Sequence, residues 1–123
     1  MKKALVVEDN PINMELVIEI LTANGFSADE AVNGEEAVAR VEKKAYDIVL
    51  MDIELPGMDG VEATRLIKKR HIDIPVIALT SYAMKGDRDR FLAAGFDGYI
   101  SKPLDVTDFI DKLNKLLHIN KLE

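Results

Sequence analysis

Short apolar runs alternate with longer amphipathic stretches along this chain. The runs are rich in β-branched residues and too short to form helices, which is typical of buried parallel strands. Asp29 and Glu30 interrupt the second run, so we expect that strand at an edge of the sheet. The predicted strands cover residues 4–7, 26–31, 47–52, 75–80 and 97–101.

An amphipathic stretch follows each predicted strand, and these stretches predict five helices. Asn10 is a suitable N-cap for the first helix, Pro11 suits its first position, and Gly25 ends it. A turn cluster at 56–60 precedes the third helix. The predicted helices begin near residues 11, 34, 61, 85 and 106, and the last two end near residues 94 and 118.

Strands and helices in strict alternation predict an α/β fold, in which helices cover both faces of a parallel sheet. Right-handed crossovers leave few possible strand orders, and 123 residues are too few for a (β/α)8 barrel. We therefore predict a flavodoxin-like (βα)5 three-layer sandwich with the parallel strand order 2-1-3-4-5. In that order, the ends of strands 1 and 3 border a crevice.

Composition and charge narrow the classes of function. The net charge is −6, from 16 basic and 22 acidic residues, which argues against direct binding of nucleic acid. The chain has no cysteine, so disulfides, thiolate metal sites and cysteine nucleophiles are excluded. The apolar runs are too short to span a bilayer, and the start resembles a strand rather than a signal peptide. We expect a cytoplasmic protein with no membrane contact.

Polar residues follow the predicted strands at the edge where ligands bind in such sheets. Glu8-Asp9 follows the first strand, Asp52 ends the third, Thr80 ends the fourth, and Lys102 follows the fifth. Taken alone, each has an ordinary explanation: a solvated loop, strand packing of a threonine, or a surface lysine. Together, three carboxylates at one edge repel one another and favour a divalent cation, and Mg²⁺ is the natural choice.

The same residues suit a phosphoryl transfer. An aspartate can act as the covalent nucleophile toward phosphorus, while a cation, a lysine and a hydroxyl stabilise the phosphoryl oxygens. The residues at this edge therefore suit the transfer of a phosphoryl group to an aspartate.

Four motifs at this edge resemble those of response-regulator receiver domains, in the same order and spacing. They are residues 7–10, 50–60, 78–80 and 101–103. Residues 8–13 and 83–87 resemble in particular the receivers of hybrid histidine kinases and stand-alone regulators of the DivK type. The resemblance extends over residues 1–123 and implies one receiver (phosphoacceptor) domain with no output domain.

The resemblance implies a role for each acidic residue. Asp52 would accept a phosphoryl group from a histidine kinase or a histidine phosphotransfer protein. Asp9 and Asp52 would bind Mg²⁺ directly, Glu8 would act through water, and Glu54 would contribute its backbone carbonyl.

It also implies the remaining catalytic and switch residues. Lys102 would contact the acyl phosphate, and its peptide bond to Pro103 would be cis. Thr80 would move toward the phosphoryl group, and Tyr99 would swing inward behind it. Asp52, Thr80 and Lys102 form the expected catalytic set.

The expected output is a changed protein contact on the face formed by helix 4, strand 5 and helix 5. The partner there would be a downstream protein, and the chain would be a monomer or a phosphorylation-dependent dimer. It would catalyse only its own phosphorylation and dephosphorylation. The expected face includes Met84, Lys85, Arg88, Tyr99, Lys102 and Val106.

Two alternatives remain open at the level of sequence. A phosphatase of the dehalogenase-like class would use a second aspartate two residues after its nucleophile, but Glu54 occupies that position and no cap domain follows. A binding module that is never phosphorylated would typically lack one of the acids or the lysine, and all of them are present here.

Overall fold

The computed structural model describes residues 2–71, 73–81, 87–102 and 106–121, and only the backbone at residues 87, 88, 106 and 116–121. Strands and helices alternate along the chain as predicted. The strands are β1 (Lys2–Val7), β2 (Phe26–Ala31), β3 (Ile48–Asp52), β4 (Val76–Thr80) and β5 (Gly98–Ser101). The helices are α1 (Pro11–Ala23), α2 (Gly34–Lys43), α3 (Gly60–Arg70), α4 (Asp87–Ala93) and α5 (Val106–Lys121).

The five strands form one parallel sheet in the order β2-β1-β3-β4-β5. This confirms the predicted order 2-1-3-4-5 and the edge position of β2. Neighbouring strands end close together: Val7 pairs with Met51, Asp52 with Leu79, and Thr80 with Ser101. A residue that follows one strand therefore lies beside residues that follow its neighbours.

Alternate strand residues enter two separate hydrophobic cores, one on each face of the sheet. On one face Val6 and Leu50 pack with residues of α1 and α5. On the other face Val7 and Met51 pack with residues of α2, α3 and α4. The central strands are buried throughout, which is why their sequences are almost continuously apolar. The predicted three-layer sandwich is confirmed.

Side-chain caps fix where three helices begin. The Oδ1 atom of Asn10 accepts hydrogen bonds from the amides of Ile12 (2.9 Å) and Asn13 (3.1 Å), as predicted for the start of α1. Asn33 caps α2 in the same way, and Asp59 caps α3 through the amide of Glu62 at 2.8 Å. The caps on α1 and α3 set how each helix leaves the strand end that precedes it.

Several element bounds differ slightly from the prediction. β1 begins at Lys2 because its lysines pair with the edge strand β2, where charged side chains can reach solvent. α5 continues to Lys121, beyond the predicted end near 118. The predicted start of α4 near residue 85 lies outside the described residues, and the described helix begins at Asp87. No helix in the described ranges has both the length and the apolar character that a membrane crossing requires.

Candidate functional site

Three carboxylates meet where β1 and β3 end side by side. One oxygen each of Glu8, Asp9 and Asp52 lies within 4.8 Å of the others. Glu8 and Asp52 are 1% and 3% exposed, whereas Asp9 is exposed. The cluster therefore has two buried members and one member that faces solvent.

Lys102 supplies a positive charge to the two buried carboxylates. Its Nζ atom donates a hydrogen bond to Glu8 Oε1 at 3.1 Å and lies 3.3 Å from Asp52 Oδ2. Burial lowers the pKa of Lys102, but the hydrogen bond to Glu8 and the charges of Asp52 and Glu8 outweigh it and raise the pKa. The lysine is thus held in its charged form against the acidic pair.

The crowded, buried position of the Glu8 carboxylate changes its pKa. Burial, together with a hydrogen bond and charge repulsion from Asp52, raises the pKa of Glu8 from 4.5 to about 7, against the opposing effect of Lys102. Burial is the largest of these effects, and the hydrogen bond from Lys102 offsets it only in part. A further cation at the cluster would favour the ionised form of Glu8.

Backbone contacts hold the two buried carboxylates in place. Glu8 Oε2 accepts a hydrogen bond from the amide of Asn10 at 3.2 Å, just before α1 begins. Asp52 Oδ1 accepts one from the amide of Glu54 at 3.0 Å, so the chain turns back toward the carboxylate directly after β3. The hydrogen bond from the Asn10 amide lowers the pKa of Glu8, against the larger effects of burial and of Asp52.

Thr80 and Tyr99 lie on the β4–β5 side of the cluster. Thr80 is fully buried at the end of β4, and its carbonyl accepts the amide hydrogen of Lys102 at 2.8 Å. Tyr99 is partly buried, with its ring centroid 5.8 Å from that of Phe91 in α4. Tyr99 also lies near Lys112 in α5, whose Nζ is 5.9 Å from the ring centroid of the tyrosine. Tyr99 therefore bridges α4 and α5.

The family model of the response regulator receiver domain matches residues 4–114. The chain belongs to this family. The receiver is a module of two-component signalling, and the resemblance inferred from the motifs is confirmed.

A curated relative of similar length supports the same assignment. The polar-differentiation response regulator DivK of Brucella anthropi is 41% identical over 120 residues, which cover 94% of this receiver and 96% of the relative. DivK proteins of other Brucella species are about as similar, for example 40% over 120 residues in Brucella ovis.

Two solved structures of similar proteins contain magnesium. The receiver domain of the sensor histidine kinase PA1611 from Pseudomonas aeruginosa, with a magnesium ion coordinated in the active site cleft, is 35% identical. It has a TM-score of 0.87 and covers 95% of this chain and 98% of its own. The response regulator TrrA from Thermotoga maritima, in complex with Mg²⁺-BeF, is 37% identical and has a TM-score of 0.86. The match covers 94% of this chain and 99% of the TrrA chain.

The carboxylate cluster of this receiver fits the same ion. Mg²⁺ prefers hard oxygen ligands and keeps several waters, so it suits a site with a few carboxylates and one side open to solvent. Burial and the neighbouring Asp52 raise the pKa of Glu8, and a cation bound at the cluster would favour the ionised carboxylate. The expected cofactor Mg²⁺ therefore agrees with the donors present.

Some expected site residues lie outside the described part of the chain. Pro103, and with it the predicted cis peptide, is one; Met84 and Lys85 of the expected output face are others. The side chains of Arg88 and Val106 are likewise not described. Glu54 is described and exposed beside Asp52.

Three apolar side chains near this end of the sheet are exposed, and their exposure was not predicted from the sequence. A cleft of about 400 Å³ runs between α1 and the end of β2, and Asp9 and Val32 contribute to its lining. Ile12 on α1 is 77% exposed, and Leu16 and Val32 are 37% and 48% exposed. Of the three, Val32 lines the cleft, and Ile12 and Leu16 lie on α1, the helix that borders it. The sequence alone could not predict these exposures, because they depend on how α1 packs.

Proposed function

We propose that this receiver accepts a phosphoryl group on Asp52 from a phosphohistidine of a histidine kinase or histidine phosphotransfer protein. The observation that carries the proposal is the cluster itself: the buried Asp52 lies against Glu8 and a charged lysine, next to the solvent-facing Asp9. Positioning and electrostatic stabilisation of this kind account for most of the catalysis of phosphoryl transfer.

In the proposed reaction, a carboxylate oxygen of Asp52 attacks phosphorus as the P–N bond of the phosphohistidine breaks. The imidazole nitrogen leaves with the bonding electron pair, and an acyl phosphate remains on Asp52. Lys102 is 3.3 Å from Asp52 Oδ2 and is therefore close enough to turn from the carboxylates to a phosphoryl oxygen.

Mg²⁺ would be held directly by Asp9 and Asp52, through water by Glu8, and by the backbone carbonyl of Glu54. When bound, it would supply positive charge beside the phosphoryl oxygens. The side chains of Glu8 and Asp52 already face each other at this point, so binding would relieve their repulsion.

The proposed output is a change at the face formed by α4, β5 and α5. Thr80 would donate its hydroxyl to a phosphoryl oxygen, and Tyr99, which packs against Phe91 in α4, would respond to the space that Thr80 leaves. A two-state change of this kind needs only a contact that exists in one state. The recipient would be a downstream protein, with the receiver as a monomer or a phosphorylation-dependent dimer.

The phosphodonor would approach beside Asp9, the member of the cluster that faces solvent. The cleft next to Asp9 is lined in part by the exposed Val32, and exposed apolar side chains are common at protein contacts. This exchange would take place in the cytoplasm, where histidine kinases are phosphorylated by ATP. The receiver domain, residues 1–123, would act through protein contacts rather than through turnover of a metabolite.

The test is intact-protein mass spectrometry after incubation with acetyl phosphate and Mg²⁺. The wild type should gain one phosphoryl group, and Asp52→Asn should gain none because an amide oxygen is a poor nucleophile. Asp73→Asn, an exposed aspartate before β4 at the opposite edge of the sheet, is the matched control and should be labelled like the wild type.

Equal labelling of wild type and Asp52→Asn, or none of either, would contradict the proposal. Continuous release of many phosphates per protein from a small phosphoester would instead favour a hydrolase.

A further inference from the structure

Gly60 is buried against the main chain that carries Asp52. It is the first residue of α3. A methyl group added to it would lie 3.0 Å from the carbonyl carbon of Asp52 and 3.0 Å from the Cα of Ile53, and closer still to the carbonyl oxygen of Asp52. Side chains do not approach backbone atoms this closely, so any residue larger than glycine would have to push the end of β3 away.

Space, rather than backbone conformation, requires glycine here. Among the described glycines, Gly25, Gly57 and Gly95 have a positive φ, whereas Gly60 does not. Gly57, in the same loop, has a φ of +70° and open space around it, with its nearest neighbour 3.9 Å away. The loop thus uses one glycine to turn the chain and another to let α3 approach β3.

The contact continues into the proposed metal site. The amide of Gly60 donates a hydrogen bond to the carbonyl of Ile53 at 3.3 Å. The amide of Glu54, the residue after Ile53, donates a hydrogen bond to Asp52 Oδ1 at 3.0 Å. On the other side, the amide of Ile53 donates to Leu79 of β4 at 3.1 Å. Residues 52–54 are therefore held between β4 and the first turn of α3.

We propose that Gly60 is a positioning residue of the site: its close approach fixes the main chain at residues 52–54, and with it the carboxylate of Asp52 and the carbonyl of Glu54. This inference rests on the proposed function, because it assigns Gly60 a role toward the Mg²⁺ that those two groups would bind. Gly60 itself touches neither the ion nor the phosphoryl group.

Gly60→Ala should weaken Mg²⁺ binding by about 10- to 100-fold, the range typical of losing a group that orients metal ligands. The added methyl displaces the carbonyl of Asp52, so the Asp52 carboxylate and the Glu54 carbonyl no longer meet the ion together. Isothermal titration calorimetry with MgCl2 measures this directly, at a temperature where the variant is folded.

Gly34→Ala is the matched control. Gly34 is also the buried first residue of a helix, without a positive φ, and an added methyl would lie 2.9 Å from the carbonyl oxygen of Met58 and 3.1 Å from Ala63 Cβ. The substitution therefore crowds the same loop and should also lower stability, but it does not reach Asp52. It should bind Mg²⁺ with an affinity close to that of the wild type.

A second readout requires no metal. In metal-free protein, the NMR shift of the Glu54 amide reports its hydrogen bond to Asp52 Oδ1. We expect it to change in Gly60→Ala and to stay near the wild-type value in Gly34→Ala. Folded Gly60→Ala with wild-type Mg²⁺ affinity and an unchanged Glu54 amide would overturn the inference, as would equal losses in the two variants.

Hydrogen exchange in the wild type decides the matter if Gly60→Ala does not fold. The amides of Gly60 and Glu54 should both exchange far more slowly than the amides of an open loop. Rapid exchange of the Gly60 amide would overturn the inference. Should the wild type itself bind no Mg²⁺, the proposed function fails, whereas the amide measurements still decide whether Gly60 fixes the loop.

Discussion

Glu8 lies with its carboxylate between Asp52 and Lys102, and its burial and its neighbours act on it in opposite directions. The net effect raises its pKa to about 7, so near neutral pH a large part of the metal-free protein carries a protonated Glu8. In the unfolded chain the same group ionises near its ordinary value of 4.5. Folding therefore takes up a proton at this residue between these two values.

The sign of the resulting pH dependence follows from linkage. Between about pH 4.5 and pH 7 the folded state binds more protons at Glu8 than the unfolded state, so this group's contribution to stability falls as the pH rises through that window. Glu8→Gln should remove this fall. Urea unfolding of metal-free protein at pH 5, 6, 7 and 8 measures it, with exposed Glu15→Gln as the control. Parallel pH profiles for Glu8→Gln and the wild type would contradict it.

At the scale of elements, a polar network joins α3, β4 and the turn before β5 at the edge opposite the site. Lys68 Nζ donates to the carbonyl of Ile74 at 2.6 Å and to Asp97 Oδ2 at 2.7 Å. The same Asp97 oxygen accepts the buried amide of Val76 at 2.8 Å. This network fixes the start of β4. Through the strand, it also affects the position of Thr80 at the far end.

Asp97→Ala should lower the free energy of unfolding by about 2 kcal/mol, because it leaves the Val76 amide and the Lys68 ammonium without this acceptor. Asp97→Asn should cost about half as much, since its amide oxygen can still accept from Val76. Lys44→Met, which removes an exposed pair with Asp29, is the comparison and should change stability by less than about 1 kcal/mol. Urea titration distinguishes the three, and a loss for Asp97→Ala no larger than that for Lys44→Met would argue against this network.

The elements themselves could be predicted from local pattern. The order β2-β1-β3-β4-β5 followed from the alternation of strands and helices, and the start of α1 from the capping ability of Asn10. The meeting of Glu8 and Asp52 also followed, because parallel strands end at one edge. Local periodicity and chain connectivity determine these features.

Contacts between elements could not be predicted in the same way. The approach of Gly60 to Asp52 depends on the angle at which α3 leaves the loop, and the sequence showed only a turn cluster there. The joining of Lys68 to Asp97 likewise depends on how α3 lies across β4. Such distances are set by packing over the whole core, to which many distant residues contribute.

At the scale of the whole molecule, net charge and the acidic cluster should make stability sensitive to cations. The chain carries a net charge of −6, and three of its acids lie together. Added NaCl screens the general repulsion weakly, whereas an ion that binds the cluster stabilises the folded state by mass action. The two effects are separable by experiment.

MgCl2 at about one hundred times its dissociation constant should raise the free energy of unfolding by about 2.7 kcal/mol over NaCl of equal ionic strength. Asp52→Asn should lose most of this increment, because it removes one of the three carboxylates. Thermal unfolding followed by circular dichroism checks both statements. If the wild type gained no more from MgCl2 than from NaCl, the cluster would not be a magnesium site.

The exposure of Asp9 beside the buried Glu8 and Asp52 has a kinetic consequence. The cluster opens to solvent on the Asp9 side, and under the proposed function both the ion and the phosphodonor would use this opening. An ion that enters first would be covered by the docked donor, whereas a donor that docks first would hinder the ion. Preincubation with the metal should therefore shorten the lag of phosphotransfer, and simultaneous mixing should lengthen it.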